Sequence, residues 1–118
     1  MSQEPTIVRH AEIRAADPAL NGIVGRLVQA FQPDRIYLFG SRARGESGAD
    51  SDYDLLVVVP DDASPERRRS RLGYQALRGT GVAADVVVWT HSAFDSRLHL
   101  RASLPSTVVA EGVLLYAA

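Results

Sequence analysis

Two apolar runs constrain this chain more than anything else in it. Residues 55–59 read Leu-Leu-Val-Val-Val and residues 86–89 read Val-Val-Val-Trp. Alternate residues of a strand face opposite ways, so a run without a polar position must be covered on both faces. Both runs therefore belong in a sheet, with residues 52–59 expected at its centre. Each run is entered through acid: Asp52 and Asp54 stand at the first, and Asp85 interrupts residues 82–89. A carboxylate at the edge of a core is costly unless a cation or hydrogen bonds compensate it.

The remaining elements follow from periodicity. Asp17 and Pro18 suit the start of a helix, and Leu20, Ile23, Val24, Leu27, Val28 and Phe31 lie on one stripe of it. Pro33 ends it. Residues 35–39 read as a strand. Residues 40–51 hold three Gly and two Arg, a loop in which a short helix can open at Ser41. A helix is expected over 64–78, a strand over 82–89, a helix over 92–104 with Ser92 as its cap, a further helical turn or two after Pro105, and a closing strand at "VLLYA". The order predicts a small α/β (α+β) domain with helices packed on a short mixed sheet. Residues 35–39 and 52–59 form a hairpin-like pair, and 64–78 a crossover.

At 118 residues the chain is expected to be a single domain, 1–118, with 1–16 a flexible arm. All 13 basic side chains are Arg, which excludes a Schiff-base or P-loop lysine. Cysteine is absent, which removes disulfides, thiolate nucleophiles and Cys-based zinc sites, and fits a reducing, cytoplasmic location. Net charge is −1, so no global field draws the chain to nucleic acid or to anionic lipid. No apolar run is long enough to span a bilayer, and the first residues show no signal-peptide core. The Arg-rich stretch 66–71 reads as the solvated face of the 64–78 helix, with Leu72 and Leu77 turned inward. The histidines at 10, 91 and 99 show no ligand spacing.

Asp52 and Asp54 share one strand face, with Cα atoms about 7 Å apart. Like charges so placed repel, and a divalent cation removes the penalty. Gly40-Ser41 follows a strand directly, where a backbone without Cβ lets a phosphate approach. If residues 82–89 lie beside 52–59, Asp85 joins the same rim. Three acids, a Gly-Ser turn and nearby arginines suit metal-assisted phosphoryl transfer. A metal-dependent glycosyltransferase also uses D-x-D, but it leaves Gly40-Ser41 and Asp85 unexplained.

The stretch Gly40-Ser41-Arg42-Ala43-Arg44-Gly45, followed by Ser51-Asp52-Tyr53-Asp54-Leu55, resembles the G-S-x-A-R-G…S-D-x-D-L signature of the DNA polymerase beta-like nucleotidyltransferase superfamily. It is most similar to the minimal nucleotidyltransferases (MNT). The resemblance implies a nucleotidyltransferase-like fold and two Mg²⁺ ions, with Mn²⁺ an alternative. It implies that Asp52 and Asp54 bind both ions, and that Asp85 binds the catalytic one and helps deprotonate an acceptor hydroxyl. Gly40 and Ser41 would hold the nucleotide phosphates. Arg44 and Arg42 would brace the loop or touch phosphate. The reaction implied moves NMP, most often AMP from ATP, to a hydroxyl.

Larger relatives carry a helical domain that shapes the acceptor site, and 118 residues leave no room for one. The acceptor surface is then expected from a second copy, an open face or another protein. The resemblance names the last: a helical HEPN-type toxin, for which an MNT protein serves as antitoxin by adenylylating a tyrosine. Two other classes stay open: a non-catalytic antitoxin acting by occlusion, and an aminoglycoside-type, small-molecule nucleotidyltransferase.

Overall fold

A computed structural model describes residues 17–45 and 52–118. The expected arm at 1–16, His10 and the motif's Ser51 lie outside them. Helix α1 (Pro18–Phe31) starts as the spacing predicts. Asp17 Oδ1 accepts the Leu20 N–H at 3.1 Å, and Pro18 sits in the first turn, where no N–H is needed. Leu20, Ile23, Val24, Leu27 and Phe31 are its buried stripe. Each such side chain contributes about 1.5–3 kcal/mol on burial. Gln32 closes the helix in the left-handed conformation, returning its N–H to the Val28 carbonyl.

Four strands follow: β1 (Arg35–Phe39), β2 (Tyr53–Val59), β3 (Ala84–Thr90) and β4 (Val113–Ala117). They form one mixed sheet in the order β3-β2-β1-β4. β1 runs antiparallel to both β2 and β4, whereas β2 and β3 are parallel. The parallel pair needs a crossover. It consists of a 3₁₀ turn (Pro65–Arg68) and the helix after it (Ser70–Ala76). Numbering the one-turn helix Ser41–Arg44 as α2, that crossover helix is α3. Helices α4 (His91–Ser96) and α5 (Leu104–Glu111) lie between β3 and β4.

Both sheet faces are covered, as the apolar runs require. On one face α1 packs over Ile36, Leu38, Leu55, Val57, Val59 and Val86. On the other, Tyr37, Leu56 and Val58 meet Phe94 of α4 and Val108 of α5. The Tyr37 and Phe94 rings stack with centroids 5.6 Å apart. Among the described residues no helix is long and apolar enough to cross a membrane.

Three expectations need correction. The helix over 64–78 is broken, because Arg69 is extended (φ −112, ψ 138) between the 3₁₀ turn and α3. The cause is tertiary: Arg67 Nε and Nη2 donate to the Phe31 and Gln32 carbonyls at the C-terminus of α1, 2.9 and 3.2 Å away. Arg68 Nε donates to the Ala63 carbonyl at 3.1 Å, while Arg68, Arg69 and Arg71 stay exposed, as a solvated face requires. The helix over 92–104 stops at Ser96, since Ser103 competes for the chain: its hydroxyl donates to the Arg97 carbonyl at 2.7 Å and accepts the Ser106 N–H, capping α5. Pro105 then sits in the first turn of α5. Thr90, not Ser92, caps α4; Ser92 donates to Asp61 instead.

Candidate active site

The strand register decides where the acids lie. Phe39 of β1 pairs with Asp54 of β2, and Asp54 pairs with Asp85 of β3. By alternation along β2, Asp54 shares the face of Leu56 and Val58. Further along that face lie Phe94 and Val108, while Asp52 and Asp85 at the strand entrances are exposed. The three acids act on one another. Partial burial raises the Asp54 pKa above the usual carboxylate range; the Asp85 and Asp52 charges raise it further, and Arg44 opposes them.

Gly40 sits against the same carboxylate. Its φ is +78°, a conformation that residues with a Cβ rarely adopt. A Cβ built on it would collide with Asp54 Oδ2. The Gly-Ser turn is thus seated on the acid itself. The helix expected to open at Ser41 is a single turn, with Gly40 as its cap and Ser41 its first residue.

The two arginines part company. Arg44 stands within the field of Asp54. The Arg42 guanidinium lies 4.0 Å over the Tyr53 ring, and Tyr53 leaves β2 on the opposite face from Asp54. Tyr53 in turn donates to Asp17 Oδ2 at 2.6 Å, tying the motif to the start of α1. Burial and that carboxylate hold the Tyr53 phenol above its ordinary pKa.

One contact was not anticipated from sequence. Tyr74 of α3 donates its hydroxyl to Asp85 Oδ1 at 3.1 Å. Gly73 makes this reach possible: a Cβ there would come within 2.7 Å of Val86 Cγ1, so α3 lies directly on β3. A glycine within an amphipathic helix was the available signal.

The donor set suits a hard divalent cation: carboxylate oxygens whose mutual repulsion a positive charge relieves. Among the described residues no three acid or histidine side chains close tightly around one point. Mg²⁺ asks for no such cage, since it keeps waters and takes one or two carboxylates together with substrate phosphates. A cleft of about 660 Å³ lined by Pro65, Arg69, Arg71 and Leu72, among others, lies apart from this rim; none of Asp52, Asp54 or Asp85 lines it.

Comparison with known proteins bears on the fold and the family. Among curated proteins none matches the chain. Solved structures do. A protein of Sulfolobus solfataricus described as a nucleotidyltransferase superposes with a TM-score of 0.56 at 24% identity, covering 85% of this chain and 78% of that one. A toxin–antitoxin structure with AMP-PNP gives 0.55 at 26% identity, covering 83% and 73%. The toxin–antitoxin MntA–HpeT, with two aspartates changed to glutamate, gives 0.52 at 23%, covering 80% and 71%. A family model for the nucleotidyltransferase domain matches residues 20–114, from the first buried leucine of α1 into β4. That match takes in β1, β2, β3, the first residues of β4 and every acid of the rim, and the chain belongs to the nucleotidyltransferase domain family.

Proposed function

We propose that this chain transfers NMP, AMP from ATP in the first instance, to a hydroxyl on a helical partner protein of the HEPN type, and so acts as that partner's antitoxin. The observation that carries the reading is the placing of Asp54 beside Asp85 on parallel strands, with Gly40 seated on Asp54. A protein partner is favoured by the likeness to a toxin–antitoxin structure holding AMP-PNP.

In this reading Gly40 and Ser41 hold the phosphates through backbone N–H groups and the Ser41 hydroxyl. Asp52 and Asp54 would hold the Mg²⁺ ions, with Asp85 as a further carboxylate ligand. Bound metal supplies charge neutralisation on the phosphates and lowers the pKa of the acceptor hydroxyl. Asp85 orients the acceptor hydroxyl and receives its proton. Arg44 offsets negative charge at Asp54. Arg42 braces Tyr53 beneath the turn. The chain's work is positioning and electrostatics, as phosphoryl transfer demands.

The test is incubation with labelled ATP, Mg²⁺ and the protein encoded by the neighbouring reading frame. Label is expected on that protein, falling about 100- to 1,000-fold with Asp54→Asn. A chain that binds Mg²⁺ and ATP yet labels neither that protein nor an aminoglycoside overturns the reading. Neutralisation of the partner that survives Asp52→Ala with Asp54→Ala makes the chain a binding module instead.

A further inference from the structure

A general base must stand within hydrogen-bond reach of the proton it takes. Tyr74 meets that condition towards Asp85: its hydroxyl is 3.1 Å from Oδ1. The side chain is 48% exposed, so this phenol is not anchored by burial. Its position follows from the backbone. Gly73 seats α3 directly on Val86, and β3 is the outer strand of the described sheet. Val86 faces α1, so Asp85, one residue earlier, faces the other way. The Tyr74 hydroxyl therefore comes round the edge of β3 to the acid rim, next to the strand that carries Asp54.

The geometry points to Tyr74 as an acceptor within the same chain: the protein nucleotidylylates its own Tyr74 hydroxyl. This rests on the nucleotidyl-transfer reading above, but not on the identity of any partner. The Tyr74 oxygen forms a bond to the α-phosphorus of ATP. The bond from that phosphorus to the bridging oxygen breaks, and pyrophosphate leaves with the electron pair. The phenolic proton passes to the Asp85 carboxylate and from there to water. The product is a tyrosyl-AMP phosphodiester whose added negative charge stands beside Asp85. Further acceptors then meet an occupied, more negative rim, so the modification limits the enzyme's own activity.

The experiment incubates the purified full chain alone with ATP and Mg²⁺ and follows intact mass, with peptide mapping of the product. One AMP per chain is expected, mapped to Tyr74, lost in Tyr74→Phe and in Asp85→Asn. The rate per molecule is expected to stay constant over a tenfold change in protein concentration. Mapping of the wild-type product locates the site even if a variant folds poorly. A parallel reaction contains the neighbouring-frame protein. Label on that protein with none on the chain overturns the inference and leaves the proposed function standing. Self-label on Tyr74 with none on the added protein upholds the inference and removes the proposed partner. Label on another residue, a rate that rises with concentration, or no label on either protein overturns the inference.

Discussion

The two ends of the sheet solve the same electrostatic problem in opposite ways. At the end where β2 and β3 begin, partial burial of Asp54, with the charges of Asp85 and Asp52, raises its pKa. At the other end, Asp34, Asp61 and Asp95 are all met by partners. His91 Nδ1 lies 2.8 Å from Asp34 Oδ2, and its Nε2 lies 3.0 Å from Asp95 Oδ2. Arg35 reaches Asp95 at 3.4 Å and lies over the Phe94 ring. Ser92 donates its N–H and its hydroxyl to Asp61, lowering the pKa of that carboxylate. Both ends carry a group of aspartates on one scaffold. Burial and neighbouring charge raise the carboxylate pKa at Asp54, whereas hydrogen bonds lower it at Asp61, and that contrast marks where charge from outside the chain belongs.

Gly40→Ala gives the largest expected change in stability. The left-handed backbone costs about 1–3 kcal/mol, and the collision with Asp54 adds to it. Chemical denaturation of this variant alone and combined with Asp54→Ala separates the two parts. The second substitution should recover part of the loss, and strict additivity would sever Gly40 from the acid.

Asp54→Asn is expected to raise the melting temperature at pH 7 even as it lowers transfer about 100- to 1,000-fold. A carboxyl whose folded pKa lies above its unfolded value favours the folded state most when protonated. The penalty at pH 7 is therefore relieved in the wild type as pH falls, and the advantage of Asn should shrink towards pH 3–4. An advantage that is constant with pH would mean that charge is not its source.

His91 gives the smallest effect. Its hydrogen bond to Asp34 raises its pKa, Asp95 adds to this, and Arg35 opposes. A raised folded pKa contributes stability that is complete below the ordinary value of 6.5 and is lost as pH rises through the folded pKa. His91→Gln should cost most below pH 6 and little at pH 8, in melts compared across pH. The groups are partly exposed and screened, so the difference is small. A deficit that grows with pH would contradict the ion-pair account.

The parts read well from sequence were those set by local chemistry. Asp17, Pro18 and the stripe to Phe31 give α1 its start, face and end, and the run 55–59 gives β2 its double cover, whereas on the outer strand β3 only Val86 is fully buried. Asp85 could be placed beside Asp54 only on condition that the two strands were neighbours, and the register meets that condition. What escaped was decided by distant partners. Nothing local says that Arg67 turns back to α1 and breaks the crossover helix. Phe94 and Leu98 sit at helical spacing, yet Phe94 is fully buried while Leu98 is 37% exposed, because Ser103 draws the chain out of the helix between them. Tyr74 reaches Asp85 because the glycine beside it lets α3 lie on Val86, a contact that no local pattern states.

In a sheet where every other pairing is antiparallel, β3 alone runs with its neighbour. Had it been laid down in reverse, the entrance acid at 85 would stand at the far end, among His91's neighbours. The proposed catalytic rim is thus a matter of heading as much as of distance. A loop graft or permutation that flips this strand can keep its apolar burial and still disarm the protein.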